Sequence, residues 1–341
     1  MSDEQLKVCV YTGGLNLIKK SGVGKAIYHQ TAVLKMQGFS VNEFPLKDCD
    51  VVHINSIFPN SVFTAKKAKR HGVKVVYYGH STMEDFRNSF VGSNFLAPAF
   101  KKWIIHCYRL GDVIITPTPY SKSILEGYGT LKNIYALSNG IDLSFWKKET
   151  ENNENSKKEF FEKYAIPTGN KVIMSVGHYM KRKGILDFIT LAKSNPDKTF
   201  IWFGHTDKIL IPSEIQKAMK SKPDNLIFAG YVNSEELRTA YSCCDLFLFL
   251  SYEETEGIVV LEAMACEIPM IVRDIPVYDG WLTDRENVFK FKKNEQLCEL
   301  LNNVLSTDTS SVTENALETA QSRSFGEIGR KLTDIYNSLT K

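Results

Sequence analysis

Glu254 and Glu262 stand eight positions apart in the run 253–265, EETEGIVVLEAMA. The first lies in a loop crowded with Glu253, Glu256 and Gly257; the second interrupts a segment that is otherwise apolar. A carboxylate inside an apolar helix costs several kcal/mol unless something hydrogen-bonds it. Sugar hydroxyls are suitable partners, and so are a neighbouring cation or a backbone amide; residue chemistry alone does not separate them. The N–H groups of a helix starting near Gly257 and Ile258 would suit a diphosphate.

Other residues point the same way. Lys181, Arg182 and Lys183, ahead of Gly184, follow an apolar strand and precede a helix. There they read as a diphosphate-neutralising site, although charge runs are commonly solvated. His80 comes directly after another apolar strand and is followed by polar Ser81, Thr82 and Glu84, at the edge where open sheets place ligands. His53 ends an earlier strand similarly. Gly13, Gly14, Gly22 and Gly24 keep side chains out of the first loop. Their spacing is not G-x-G-x-x-G and no acidic residue ends the second strand, which argues against a nicotinamide dinucleotide. Asp48-Cys49-Asp50 spells D-x-D, but Asp50 simply precedes a strand, so no metal is expected.

These residues need strands to hold them. Apolar runs predict strands over 6–11, 50–55, 74–79, 112–116 and 134–137, then over 171–176, 199–204, 225–229, 245–251 and 270–272. Helical segments alternate with them, which predicts an α/β chain of two doubly wound domains, 1–150 and 151–323. Residues 152–158 read as an exposed connection, and Ser234 as a helix N-cap. Phe325, Ile328, Leu332, Ile335 and Leu339 repeat at helical spacing in the tail.

Taken together, the Glu254–Glu262 spacing resembles the E-x7-E signature of the retaining glycosyltransferases of family 4. The run EETEGIVVLEAMA is similar to bacterial enzymes of that family that attach α-linked hexose to diacylglycerol, and Ser138-Asn139-Gly140-Ile141-Asp142 is similar to the family's P-N-G-V-D. The resemblance implies the GT-B fold, two Rossmann-like domains flanking a cleft, with the terminal helix 324–341 packed back on the first. It implies UDP-glucose or UDP-galactose as donor, and no cofactor or metal. Lys183 matches the lysine of the family's G-R-x-x-x-x-K-G; His178 stands at the arginine's place, with Arg182 expected to share its task. Carried over residue by residue, Glu254 meets hexose hydroxyls, Glu262 ribose hydroxyls, Tyr231 the nucleobase and His80 the sugar's reacting side. Gly22, Gly24, Glu256, Gly257 and Ile258 complete the donor set, with His53 and Glu84 on the acceptor side.

Composition bounds these expectations. At 341 residues, 43% hydrophobic and 24% charged, the chain reads as a soluble globular protein. No apolar run reaches the roughly 18 residues of a membrane span, and residues 1–7 lack a signal peptide's apolar core, so a cytoplasmic location is expected. Seven cysteines without C-x-x-C pairing read as small buried hydrophobes. The first 145 residues carry a net +7 and the remainder −4. A basic half suits nucleic acid, an anionic membrane or mere solubility. Residues 84–112 interleave Phe86, Phe90, Phe95, Phe100 and Trp103 with Arg87, Lys101, Lys102 and Arg109, the content of an interfacial membrane segment or of a helix packed on the sheet. With Lys66 and Lys67 nearby, the expectation is a lipid acceptor reached from the inner face of the membrane, and no nucleic acid.

Overall fold

The structure, a computed structural model, describes residues 6–14, 21–149 and 153–340. Residues 15–20 and the amino terminus, on which part of the first-loop reading fell, lie outside that set. Two parallel six-stranded sheets organise the chain. The first contains β1 (Lys7–Tyr11), β2 (Ser40–Val41), β3 (Val51–Ile54), β4 (Lys74–Tyr78), β5 (Val113–Thr116) and β6 (Ile134–Ala136), in the order β2-β1-β3-β4-β5-β6. The second contains β7 (Val172–Val176), β8 (Thr199–Phe203), β9 (Leu226–Gly230), β10 (Leu246–Phe249), β11 (Met270–Arg273) and β12 (Phe289–Phe291), in the order β12-β11-β10-β7-β8-β9.

The central strands read as continuous apolar runs because helices cover both faces of a parallel sheet. β3, β8, β10 and β11 are buried at every position. In each sheet the chain first builds outward on one side and then returns to the other. That reversal falls between β1 and β3 in the first sheet and between β7 and β10 in the second. Strand ends diverge at such a switch point and leave a crevice at their carboxyl edge. The loops 177–184 and 250–257 therefore meet beside each other.

The helix Phe325–Thr340 packs on the first sheet although it follows the second in sequence. Phe325, Ile328, Leu332, Ile335 and Tyr336 join a core with Val8, Val51, Val76 and Ile115. One reading is extended and one corrected. The connection is helical over residues 153–163: Glu154, Asn155, Lys157 and Lys158 are exposed as expected, while Phe160 beyond them is buried and packs with Tyr164 against the second-domain core. Asn233, not Ser234, caps the helix Ser234–Cys243, its side chain accepting from the Glu236 amide at 2.9 Å. The edge strands β2 and β12 were not anticipated.

Truncating Leu332 to Ala removes a side chain buried in a core that unites both ends of the chain. It should lower the unfolding free energy by roughly 2–5 kcal/mol. Urea unfolding checks this; a loss under about 1 kcal/mol would mean that the helix contributes little to the first domain.

Candidate active site

The two switch-point loops are fastened by a glycine. Gly184 has φ 74° and ends the 3-10 turn Lys181–Lys183. A Cβ there would fall 2.4 Å from the Leu250 carbonyl oxygen, so only glycine lets the cationic loop lie against the end of β10. This contact brings the Lys183 ammonium onto the Glu254 carboxylate as a buried ion pair. Burial alone would raise the Glu254 pKa, but Lys183 and Arg182 outweigh it and hold the carboxyl below its ordinary range. Burial draws the Lys183 pKa down against the pull of the same carboxylate.

Arg182 is buried and spans the domains. Its Nη1 lies 3.0 Å from Asp85 and 2.8 Å from the Glu253 carbonyl oxygen; its Nε donates to Ser89 Oγ at 3.0 Å, and Glu254 is 3.8 Å away. Three of the loop residues that follow are fastened to the first domain. Tyr120 OH donates to Glu253 at 2.9 Å, Thr118 Oγ1 to the Thr255 carbonyl at 2.9 Å, and Asn139 Nδ2 to Glu256 at 2.6 Å. Burial pushes the Glu253 pKa up to about 7, against the lowering effect of the Tyr120 hydroxyl, and burial likewise raises that of Glu256. The helix Ile258–Ala265 then begins after Gly257, whose φ is 87°.

These groups line a cleft of about 410 Å³ between the domains. Gly22, His80, His178, Arg182, Lys183, Tyr231, Glu254, Glu256, Gly257 and Ile258, all expected in the site, border it together. The positive end of the Ile258 helix faces the same space as Lys183 and Arg182, an arrangement able to hold two neighbouring negative charges. His80 Nε2 lies 2.8 Å from Asn55 Oδ1, and the ring stacks on Tyr78 with centroids 4.5 Å apart. Burial first, and then His53, hold the His80 pKa down to about 3, so the ring is neutral at physiological pH. His178 Nδ1 contacts the His205 carbonyl oxygen at 2.6 Å, which orients its ring at the rim.

Four of the expected residues do not border the cleft. Glu262 is fully buried and does not border the cleft; it pairs with Lys25 of the first domain and accepts from Tyr241 OH at 3.4 Å. A protein cation thus occupies the carboxylate that the resemblance assigned to ribose. His53 is fully buried inside β3, where Nδ1 meets Tyr336 OH at 2.6 Å beneath the terminal helix, so it cannot touch an acceptor. Gly24 faces into its own helix, its N–H capped by Ser21 Oγ at 3.4 Å, and is not on the cleft wall. Glu84 accepts from Tyr128 OH at 2.6 Å and borders a different, adjoining cavity. Lys25, Asp85, Ser89 and Asn139 border the cleft without having been anticipated. Two of them left a trace in the sequence: Lys25 as a cation directly after the first-loop glycines, and Asn139 within the run Ser138–Asp142.

The outer face of the first domain carries the aromatic and basic segment. In the helix Ser93–Tyr108, Phe95 is 88% and Leu96 50% exposed, while Ile104, Cys107 and Tyr108 are buried. Trp103 is partly exposed with its indole N–H on the Ile57 carbonyl at 2.8 Å. Lys66, Lys67 and Lys102 are exposed, whereas Lys101 lies over the Tyr128 ring, 4.3 Å from its centroid. Among the described residues no helix is long and apolar enough to cross a membrane.

Comparisons with known proteins agree with this geometry. The family model "Glycosyl transferases group 1" matches residues 156–323, and "Glycosyltransferase Family 4" matches residues 28–145. The chain is 40% identical over 337 residues, 98% of its own length and 99% of the relative's, to the processive diacylglycerol alpha-glucosyltransferase of Acholeplasma laidlawii. It is 30% identical to the alpha-galactosylglucosyldiacylglycerol synthase of Streptococcus pneumoniae, over 68% of this chain and 62% of that one. Among solved structures, Anabaena Alr3699/HepE in complex with UDP-glucose superposes with a TM-score of 0.74 at 16% identity, covering 98% of this chain and all of the other.

Two outcomes test the site. Glu254→Gln leaves the Lys183 ammonium buried without its counter-charge and should cost about 3–5 kcal/mol in chemical unfolding; Lys183→Met with Glu254→Gln should recover part of that loss. The second concerns acid. His53, His80 and His29 are held down to about 3, 3 and 4 by burial, against an ordinary 6.5. The unfolded chain therefore binds more protons, so their contribution is complete above pH 6.5 and is lost as pH falls from 6.5 toward 4. The thermal midpoint should drop across that window. A flat midpoint would mean that these imidazoles protonate freely in the folded protein.

Proposed function

Because the chain belongs to the glycosyltransferases of group 1 and family 4, enzymes of the GT-B fold, we propose that it transfers an α-linked hexose from UDP-glucose or UDP-galactose to a membrane lipid, diacylglycerol or its glucosyl derivative, with retention of configuration. The observation that carries this reading is the Lys183–Glu254–Arg182 cluster beside the amino end of the Ile258 helix, within a chain similar from end to end to a diacylglycerol glucosyltransferase.

Breaking the anomeric bond builds negative charge on the departing phosphate. Lys183, Arg182 and the helix N–H groups are preorganised to meet it, and charges fixed in advance stabilise a transition state without reorganisation. They do the work for which other transferases use a divalent cation, so no metal is required. Glu254, held ionised by its two cations, accepts hydrogen bonds from hexose hydroxyls. His80 is too weak a base at neutral pH to take the acceptor's proton and instead offers the sugar a neutral hydrogen-bonding edge. No further carboxylate is assigned as a covalent nucleophile. The acceptor hydroxyl therefore attacks from the face that the phosphate leaves, and the phosphate oxygen receives its proton.

A lipid acceptor suits the first-domain surface. The aromatics Phe86, Phe90 and Phe100 border the cleft, and Phe86 stacks on Phe100 with centroids 4.0 Å apart. Val91, Phe95 and Leu96 stand exposed on the same hairpin. Apolar side chains thus stand both at the cleft and on the exposed face beside it, where a lipid would meet them, and the exposed lysines would supply attraction to an anionic inner leaflet.

Incubation of the protein with each UDP-hexose and with diacylglycerol or glucosyl-diacylglycerol, followed by product and linkage analysis, tests the reading. An α-hexosyl lipid is the expected product, and free hexose alone would defeat the lipid assignment. Lys183→Met should lower kcat by about 10²–10³ with the fold retained. Replacing Lys66, Lys67 and Lys102 together should weaken binding to anionic vesicles roughly a hundredfold, at about 1 kcal/mol per cation.

A further inference from the structure

Asp85 borders the donor cleft from the first domain, where donor binding alone does not call for a carboxylate. A fixed negative charge beside Arg182 competes with a diphosphate for the same guanidinium and repels it. Arg182 has neutral partners that hold it without that cost, the Ser89 hydroxyl and the Glu253 carbonyl oxygen. The carboxylate therefore points to a ligand of its own.

Its surroundings leave one oxygen uncommitted. Thr82 Oγ1 accepts from the Asp85 N–H at 3.0 Å, and the Ser89 hydroxyl donates to the Asp85 carbonyl at 2.8 Å, so the backbone is pinned on both sides. Oδ1 meets Arg182 Nη1 at 3.0 Å. Oδ2 has no hydrogen bond or ion pair among the described residues, and the side chain is 24% exposed. An ionised carboxylate only accepts, so this oxygen suits a hydrogen-bond donor. The neighbouring carboxylates are already engaged: both oxygens of Glu253 take the Tyr120 hydroxyl, at 2.9 and 3.1 Å, Glu254 lies on Lys183, and Glu256 holds Asn139. Phe86, Phe90 and Phe100 border the same cleft from the same domain. An apolar molecule bearing a hydroxyl thus finds aromatic walls and one open acceptor.

We propose that Asp85 Oδ2 accepts a hydrogen bond from the attacking hydroxyl of the acceptor and holds it beside the donor phosphate. This assignment rests on the reading of the protein as a retaining hexosyltransferase acting on a lipid. In a front-face displacement the hydroxyl enters on the side by which the phosphate departs, so the group that holds one must stand next to the group that holds the other. Asp85 meets that condition because its Oδ1 is paired with Arg182. As the bond between the anomeric carbon and the phosphate oxygen breaks, negative charge grows on that oxygen and makes it the stronger acceptor. The hydroxyl oxygen bonds to the anomeric carbon, its proton passes to the phosphate, and Asp85 ends the turnover ionised as it began. Its part is to fix the reacting oxygen in advance.

Asp85→Asn and Asp85→Glu test this by steady-state kinetics with the accepted UDP-hexose and lipid, by calorimetric titration with UDP and by thermal melting. Asp85→Asn should lower kcat/KM for the lipid roughly tenfold or more. The Kd for UDP should stay the same or fall, because a negative charge has left the phosphate site. Asp85→Glu retains the acceptor and should recover about threefold over Asp85→Asn. Where Asp85→Asn does not melt cooperatively, Asp85→Ser is read by the same two criteria. A kcat/KM within about twofold of the wild type overturns the proposal. So does a Kd for UDP that rises in step with the loss of transfer, which would mean that Asp85 acts by placing Arg182. Either result leaves the lipid reading intact, whereas a wild-type protein that glycosylates neither diacylglycerol nor glucosyl-diacylglycerol overturns both.

Discussion

The site depends on one buried ion pair between two loops that the sheet topology forces together. Strand divergence at β7 and β10 opens the crevice, Gly184 allows its loops to touch, and Lys183, partly buried, then meets the buried Glu254 at the cleft wall. Each partner alone would be an expense in that environment. Together they keep a cation and an anion ionised side by side at the wall of one cleft.

The same pair organises the seam between domains. Residues 253–256 form a short strip whose members attach in turn to Tyr120, to Lys183 with Arg182, to Thr118 and to Asn139. Arg182 reaches the other way, to Asp85 and Ser89. Lys25 crosses from the first domain to Glu262 beneath the strip. The acidic loop is thus both a ligand-facing element and the fastening between two sheets, which explains how a buried carboxylate such as Glu256 can serve an interdomain contact rather than chemistry. Substitutions here affect domain registry and ligand contacts together, so affinity and stability have to be measured in parallel.

Sequence reading found the central strands because an all-parallel sheet buries both faces and leaves continuous apolar runs. It missed β2 and β12, edge strands of two and three residues with too little periodicity to register. The donor loops were legible for a related reason: their charges sit at strand ends, where a core would not tolerate them. The distinction between His53 and His80 was not. Both follow valine- or tyrosine-rich runs, but His53 lies within β3 and is covered by a helix from residues 325–340, whereas His80 lies two residues beyond β4. Only the tertiary arrangement separates them. The pairing of Glu262 was hidden in the same manner, since its partner Lys25 is 237 positions away and a helical pattern carries no sign of it.

Charge asymmetry links the interior to the surface. The donor-side cations are balanced by Glu254 and Asp85, so they add little to the field outside the cleft. The net positive charge of the first domain is carried instead by solvated residues such as Lys66, Lys67 and Lys102, which remain free to act on an anionic surface. Each such contact is worth about 1 kcal/mol and fades within a Debye length. Where a surface is anionic such contacts add, and salt weakens them, so the exposed charge of the first domain acts outward while the charges of the cleft act inward.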